Sequence, residues 1–293
     1  MLLRNKTPHT FLTGRHIMTS RHTLLAPVAA SDHTDQQRRE HYVIEKELAQ
    51  RLRIASPDER RYLYTQIYDE LFRRVPHHPQ LIHKQSPQII HKTVAEQLHI
   101  LQPYLSPSST VLEIGCGDCT LARALAPQVR ALYAIDVSPV IMHQSEPLPD
   151  NVVRIVSDGC TLPLRAETIT IAVSNQLIEH LHPDDAEAQL HALYRVLTPG
   201  GRYICMTPNR LSGPYDISRY FDRVATGLHL KEYTAFELAD LFTAAGFSRL
   251  RLIIGASRNI RFHLPVAPVR LLERFLLQLP QGITLPLARR MPL

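Results

Sequence analysis

Cysteine is scarce: four residues in a chain of 293 are too few for a disulfide framework, so a reducing, cytoplasmic setting is the expectation. No apolar run approaches the roughly 20 residues that a membrane-spanning helix needs, so no such helix is expected. Acidic residues are absent from the start of the chain. Arg4, Lys6, Arg15 and Arg21 all precede Asp32, so part of the formal charge of +6 belongs to a basic tail and not to a basic face. No basic stripe interleaved with aromatics marks a nucleic-acid channel, and no internal repeat is evident. What remains is a chain with 44% hydrophobic residues, enough for a full core in one large or two small domains.

The most informative stretch is Thr110-Val111-Leu112-Glu113-Ile114-Gly115-Cys116-Gly117, an apolar strand running into a glycine turn. About 20 residues later a second apolar strand ends in Asp136, and in a parallel α/β sheet this arrangement holds a nucleoside between two strand ends. Gly115 and Gly117 lack a Cβ, which permits a sharp turn and a close ligand. Asp136 can accept a hydrogen bond from each of two ribose hydroxyls. A dinucleotide fingerprint would place a third glycine where Thr120 stands. Glu113 would oppose a pyrophosphate, yet it suits the ammonium of a methionine moiety.

On these residues the chain resembles the class I S-adenosylmethionine-dependent methyltransferases, whose first motif reads acid-x-Gly-x-Gly-x-Gly. Cys119 stands at the third glycine, a departure expected to adjust affinity without abolishing binding. The resemblance continues through Ser157-Asp158-Gly159-Cys160, then Asn175-Gln176-Leu177-Ile178-Glu179-His180, then Leu197-Thr198-Pro199-Gly200-Gly201. It implies S-adenosylmethionine as cofactor, with Glu113, Gly115, Gly117 and Asp136 around the turn. It also implies Asp158 and Gly159 at the adenine end, and Asn175 and Gln176 beside the methionine moiety. The implied fold is α/β: a Rossmann-like, doubly wound, mostly parallel sheet of about seven strands, preceded here by a helical extension.

Four regions follow. Residues 1–40, with little periodicity, read as a disordered or mis-started extension with Met18 as an alternative initiator; a targeting peptide is the functional alternative, and Pro27 argues against a secretory signal. Residues 41–85 read as a helical cap, since Ser56-Pro57-Asp58-Glu59 is a capping box opening an amphipathic helix. Residues 86–255 hold the cofactor domain, beginning with a helix at Ser86-Pro87 and alternating thereafter between strands and helices. Within it, 208–233 is a long connection placed where substrate contacts fall. Residues 256–293 form an apolar tail with a helical face from Val269 to Leu279, suited to packing on the core or a second subunit, with peripheral membrane contact as the other reading.

A sulfonium donor carries an activated methyl group, so the protein mainly has to position the acceptor and exclude water. His180 is the first candidate base, and His229 is a candidate substrate contact from the long connection. No residues have metal-type spacing: Cys116 and Cys119 lie inside the turn, and Asp184 and Asp185 follow Pro183 as first-turn helix acids. No metal is therefore expected. Tyr62, Tyr64 and Tyr68 read as core or lid. Asn175 is not followed by the two prolines of base-methylating enzymes, nor is there a Pro-Cys nucleophile. The acceptor is then an O or N of a small molecule, sugar or lipid-like compound, in the manner of the ubiquinone-biosynthesis-like and glycan-pathway subgroups. A catalytically silent scaffold of the same fold and a nicotinamide oxidoreductase are the competing classes.

Overall fold

The computed structural model describes residues 16–18, 34–79, 81, 86–142, 147–257 and 260–290. Its centre is a parallel sheet of five strands whose ends carry the sequence motifs. These are β2 (Thr110–Ile114), β3 (Ala131–Asp136), β4 (Val152–Val156), β5 (Ile169–Asn175) and β6 (Leu197–Met206). The strand β1 (His16–Met18) pairs in parallel with both β6 and β7 (Arg251–Ser257), and β8 (Ile260–Pro265) closes the edge antiparallel to β7. The sheet order is β4-β3-β2-β5-β6-β1-β7-β8, eight strands where about seven were expected. The order reverses direction at β2, which places a crevice at the ends of β2 and β5, where a doubly wound sheet receives its ligand.

Alternate residues of one strand feed two different cores, as the two-residue period of a pleated strand requires. Leu112, Ile114, Tyr203 and Cys205 face one apolar cluster, whereas Val111, Ile204 and Met206 face the other. The second cluster is covered by α3 (Pro87–Leu101) and α4 (Thr120–Leu125). The first is covered by α1 (Asp35–Ile54), α2 (Pro57–Arg74), α6 (Pro183–Val196) and α7 (Ala235–Ala244). The short helix α5 (Pro139–Met142) follows β3.

The helical preface is built into the core. Leu48, Leu52, Tyr64, Ile67 and Leu71 are buried in the same cluster as the strands. Capping boxes at Thr34/Gln37 and Ser56/Glu59 start α1 and α2, so α1 begins at Asp35, inside the stretch read from sequence as an extension. β1 also lies in that stretch; the rest of residues 1–33 is outside the described residues. Buried Arg60 on α2 forks onto Asp185 of α6, with Nε–Oδ2 at 2.6 Å and Nη2–Oδ1 at 2.9 Å, and the Tyr64 hydroxyl donates to the same carboxylate at 2.7 Å. Asp185 does sit in the first turn of α6, but its main partner is a cation that lies far away in sequence. Tyr62, grouped with Tyr64 by sequence, is exposed.

Two other elements differ from the sequence reading. The Leu197–Gly201 segment, expected as a turn leading into a strand, belongs to β6: Leu197 pairs with Ile169, and a register shift between Ile169 and Ile171 absorbs the extra residues. The C-terminal region holds β8, α8 (Val266–Gln278) and α9 (Gln281–Arg290). Buried Glu273 of α8 accepts hydrogen bonds from Asn209 Nδ2 (2.7 Å) and from the Ala235 and Phe236 N–H groups (3.0 and 2.9 Å). It thereby satisfies free N–H groups at the start of α7 and ties the tail to the long connection after β6. No helix among the described residues is long and apolar enough to cross a membrane.

Candidate active site

A cavity of about 500 Å³ opens at the carboxyl ends of β2, β3 and β5, within the range of small-molecule sites. Glu113, Gly115, Gly117, Asp136, Gly159, Asn175, Gln176, His180 and His229 all line it; Asp158 does not. At the turn, Gly115 and Gly117 adopt φ of 72° and 53°, a region where a Cβ crowds the backbone. Cys119 shares that conformation at φ 61° and caps α4, and its side chain is buried in the apolar cluster behind the turn, away from the cavity. The departure from glycine therefore leaves the ligand side of the turn open. Its Sγ lies 3.6 Å from that of Cys116.

Asp136 organises this turn. Its Oδ2 accepts from Gly117 N–H at 2.7 Å and its Oδ1 from Ser138 N–H at 3.0 Å. A carboxylate oxygen has two lone pairs and can accept more than one donor. The helix α2 braces the same loop through Thr65 Oγ1 to Val137 O (2.7 Å) and Ser138 Oγ to Asp69 Oδ1 (3.0 Å).

Asp158 differs from its expected place. Its Oδ1 accepts from the N–H groups of Cys160 (2.9 Å) and Thr161 (2.6 Å) and from the Thr161 hydroxyl (2.9 Å), while Oδ2 lies 3.9 Å from Arg61 Nε. Burial raises its pKa, but these hydrogen bonds and Arg61 outweigh that and hold it below the usual range. Its Oδ1 shapes the loop, and its neighbours Ser157 and Gly159 line the cavity.

Two buried acceptors at the turn have no hydrogen-bond partner among the described residues: Glu113 Oε2 and Asn175 Oδ1. Burial pushes the Glu113 carboxyl well above its ordinary range, with Cys119, Asp118 and Asp136 adding to the rise. Unpartnered buried acceptors call for a donor, because each such group costs about 1–3 kcal/mol. A cationic ammonium between them supplies one, so these residues fit the methionine end of S-adenosylmethionine. The glycine turn and Asp136 fit its nucleoside.

The far end of the cavity is a polar wall assembled from three parts of the chain. The connection after β6 contributes Tyr215, Asp216, Arg219, Tyr220 and His229; α1 contributes Arg38, His41 and Glu45; His78 follows α2. His229 Nδ1 lies 2.7 Å from Glu232 Oε1, both side chains being buried. Burial lowers the His229 pKa, but Glu232, Glu179 and Asp216 overcome this and raise it to about 9. His180 is its opposite. Burial, and then the charge of His229, lower it to about 3. The two rings meet edge to face at 4.7 Å, and His180 Nδ1 donates to Leu228 O at 3.0 Å. At neutral pH one ring is thus a cation and the other a neutral, weakly basic imidazole, which alters the roles that sequence suggested for them.

The fold also gathers residues that spacing along the chain does not connect. His41, Glu45 and His78 form one group whose ligand-type atoms lie within 4.8 Å of one another, and Glu179, His180 and His229 form a second. The sequence expectation that no metal-type grouping exists is therefore corrected in space. The only local signal was the i, i+4 spacing of His41 and Glu45 on α1, which puts both on one helix face.

Residues 83–252 match the family model described as a methyltransferase domain. Over 138 residues the chain is 32% identical to a probable S-adenosylmethionine-dependent methyltransferase of Mycolicibacterium smegmatis, covering 47% of this chain and 51% of that one. Over 178 residues it is 30% identical to the malonyl-[acyl-carrier protein] O-methyltransferase of Hahella chejuensis, covering 59% and 61%. The chain thus spans between half and two thirds of these curated relatives. Among solved structures, phosphoethanolamine N-methyltransferase 1 of Haemonchus contortus aligns with a TM-score of 0.49 at 16% identity, over 64% of this chain and 40% of that one.

Proposed function

The chain belongs to the methyltransferase-domain family, whose cofactor is S-adenosylmethionine, and from that premise we propose that it transfers the methyl group to an oxygen or nitrogen of a small molecule, sugar or lipid-like acceptor. The observation that carries this reading is a single cavity joining the Gly115–Gly117 turn, with its unpartnered Glu113 and Asn175 oxygens, to the polar wall around His180 and His229. Glu113 and Asn175 receive the ammonium, Asp136 the ribose hydroxyls, and Gln176 the neighbouring methionine atoms. Ser157 and Gly159, on either side of Asp158, border the adenine end. When bound, the cofactor supplies the activated methyl group.

Within that acceptor class, an oxygen that is already anionic suits the wall best. General bases work most effectively with a pKa near the operating pH, and His180 at about 3 lies far below it. His229 at about 9 already holds its proton and offers positive charge instead. An acid oxygen needs no base and gains from that charge, in keeping with a relative named as an O-methyltransferase. The test is incubation with methyl-labelled S-adenosylmethionine and a fractionated metabolite extract. Label entering acidic metabolites as base-labile esters supports the reading. Tight binding of S-adenosylhomocysteine with no label transferred to any fraction would favour a silent scaffold of the same fold.

A further inference from the structure

His41 and Glu45 stand one turn apart on α1, and His78 meets them from the turn after α2. Glu45 Oε1 lies 2.7 Å from His41 Nε2 and 3.5 Å from His78 Nε2. His41 and Glu45 are each 4% exposed, the His78 side chain is 12% exposed, and all three line the cavity. Two imidazoles and a carboxylate converging at the wall of a largely buried cavity form a donor set for zinc and its first-row neighbours. Bonds of about 2.0–2.1 Å in tetrahedral geometry place ligand atoms roughly 3.3–3.4 Å apart. The His78–Glu45 separation already matches. The His41–Glu45 hydrogen bond has to open by roughly 0.6 Å on that geometry, a small torsional change for a glutamate.

The surroundings agree. Ligating carboxylates are usually held by an outer hydrogen bond, and Glu45 Oε2 accepts one from Leu228 N–H at 3.2 Å. Metal binding at His41 Nε2 and His78 Nε2 displaces any proton these atoms share with Glu45, so it should release protons. The other group, Glu179 with His180 and His229, is less suited. His229 would have to give up both a proton and its contact with Glu232.

We propose that His41, Glu45 and His78 are the protein ligands of a divalent transition-metal ion at the acceptor end of the cavity, with an open coordination position facing the cavity. An acceptor oxygen would occupy that position, a role that rests on the methyltransferase reading; metal binding itself does not. The metal's service is to fix the acceptor and draw negative charge onto its oxygen, acting as template and Lewis acid.

The full-length protein, dialysed against a chelator, is titrated with cobalt(II) followed by its visible absorption and with zinc(II) by calorimetry. One equivalent should bind, with cobalt bands of a four- or five-coordinate site. Glu45→Gln and His78→Ala should each weaken binding by at least the ~10–100-fold seen when only an outer partner is lost, whereas His191→Ala, at an exposed histidine of α6, should not. Affinity for S-adenosylhomocysteine, measured on every variant, reports folding at the opposite end of the cavity; its loss in the unaltered protein would overturn the methyltransferase reading and leave the metal result standing. Absence of stoichiometric cobalt binding, or binding that survives both substitutions, overturns the proposal and leaves the three residues as a hydrogen-bonded trio.

Discussion

Replacing Asp136 by alanine separates its two tasks, shaping the turn and holding the cofactor. In the free protein the substitution strips the acceptor from Gly117 N–H (2.7 Å) and Ser138 N–H (3.0 Å). An unsatisfied buried donor costs about 1–3 kcal/mol, and each kcal/mol lowers the melting temperature of a domain of this size by roughly 2–4 °C. Binding should suffer independently, because a hydrogen bond to a charged group contributes about 1.5–3 kcal/mol. At about 1.4 kcal/mol per decade this is a weakening on the order of 10–100-fold. Asp136→Asn keeps one carbonyl oxygen and should fall between. The assay is calorimetric titration with S-adenosylhomocysteine at a temperature well below every variant's melt, paired with thermal melts without ligand. An Asp136→Ala protein that melts several degrees lower yet binds like the unaltered protein would refute the ribose assignment.

Four further outcomes are expected. Because burial raises the Glu113 pKa in the free site and a bound ammonium favours its anion, binding of S-adenosylhomocysteine should lower that pKa and release a proton at pH values between the two. Affinity should then rise with pH up to the free-site pKa, and calorimetry in buffers of different ionisation enthalpy should show the release disappear in Glu113→Gln. Asp185→Asn removes the charge that answers buried Arg60, and breaking such a pair should cost about 3–5 kcal/mol in a denaturant melt. The His229 pKa is raised, so its pairing contributes stability that is fully present below its unfolded pKa of about 6.5 and is lost as pH rises through about 9; the stability gap between the unaltered protein and His229→Gln should close over that interval. Finally, if His180 only orients the wall, His180→Ala should lower turnover by less than the ~10²–10⁴-fold that general-base catalysis contributes.

The parts of this fold that could be read from sequence are those encoded by local periods. Thr110–Ile114 reads as a strand and is one, and the Ser56–Glu59 box begins a helix where it was expected to. The glycine turn was legible because its chemistry lies in consecutive residues. The acceptor wall was not, since its residues come from α1, from the turn after α2 and from the connection after β6, and no period links them. Asp185 illustrates the limit: its place in the first turn of α6 is a local fact, whereas Arg60 reaches it only because α2 packs across α6. Asp158 is a different case: a motif position implied a ligand contact, and three local donors bond its Oδ1.

The two halves of the wall meet at a single residue. Leu228 N–H donates to Glu45 while Leu228 O accepts from His180, so the helix at one side and the strand end at the other are registered through the same residue of the connection. Gly227, next to it, has no room for a side chain: a Cβ there would lie 2.5 Å from Glu45 Oε2 and 2.7 Å from Asp216 Oδ2. Asp216 in turn accepts from Gly227 N–H at 2.9 Å, closing the connection on itself, while Arg53 of α1 donates to Thr226 O (3.0 Å) and Gly227 O (3.1 Å) and holds it against the helix. The glycine turn at β2 shares none of these bonds. A substitution at Gly227 should therefore disturb the Glu45 and Asp216 side of the cavity before it disturbs the glycine turn.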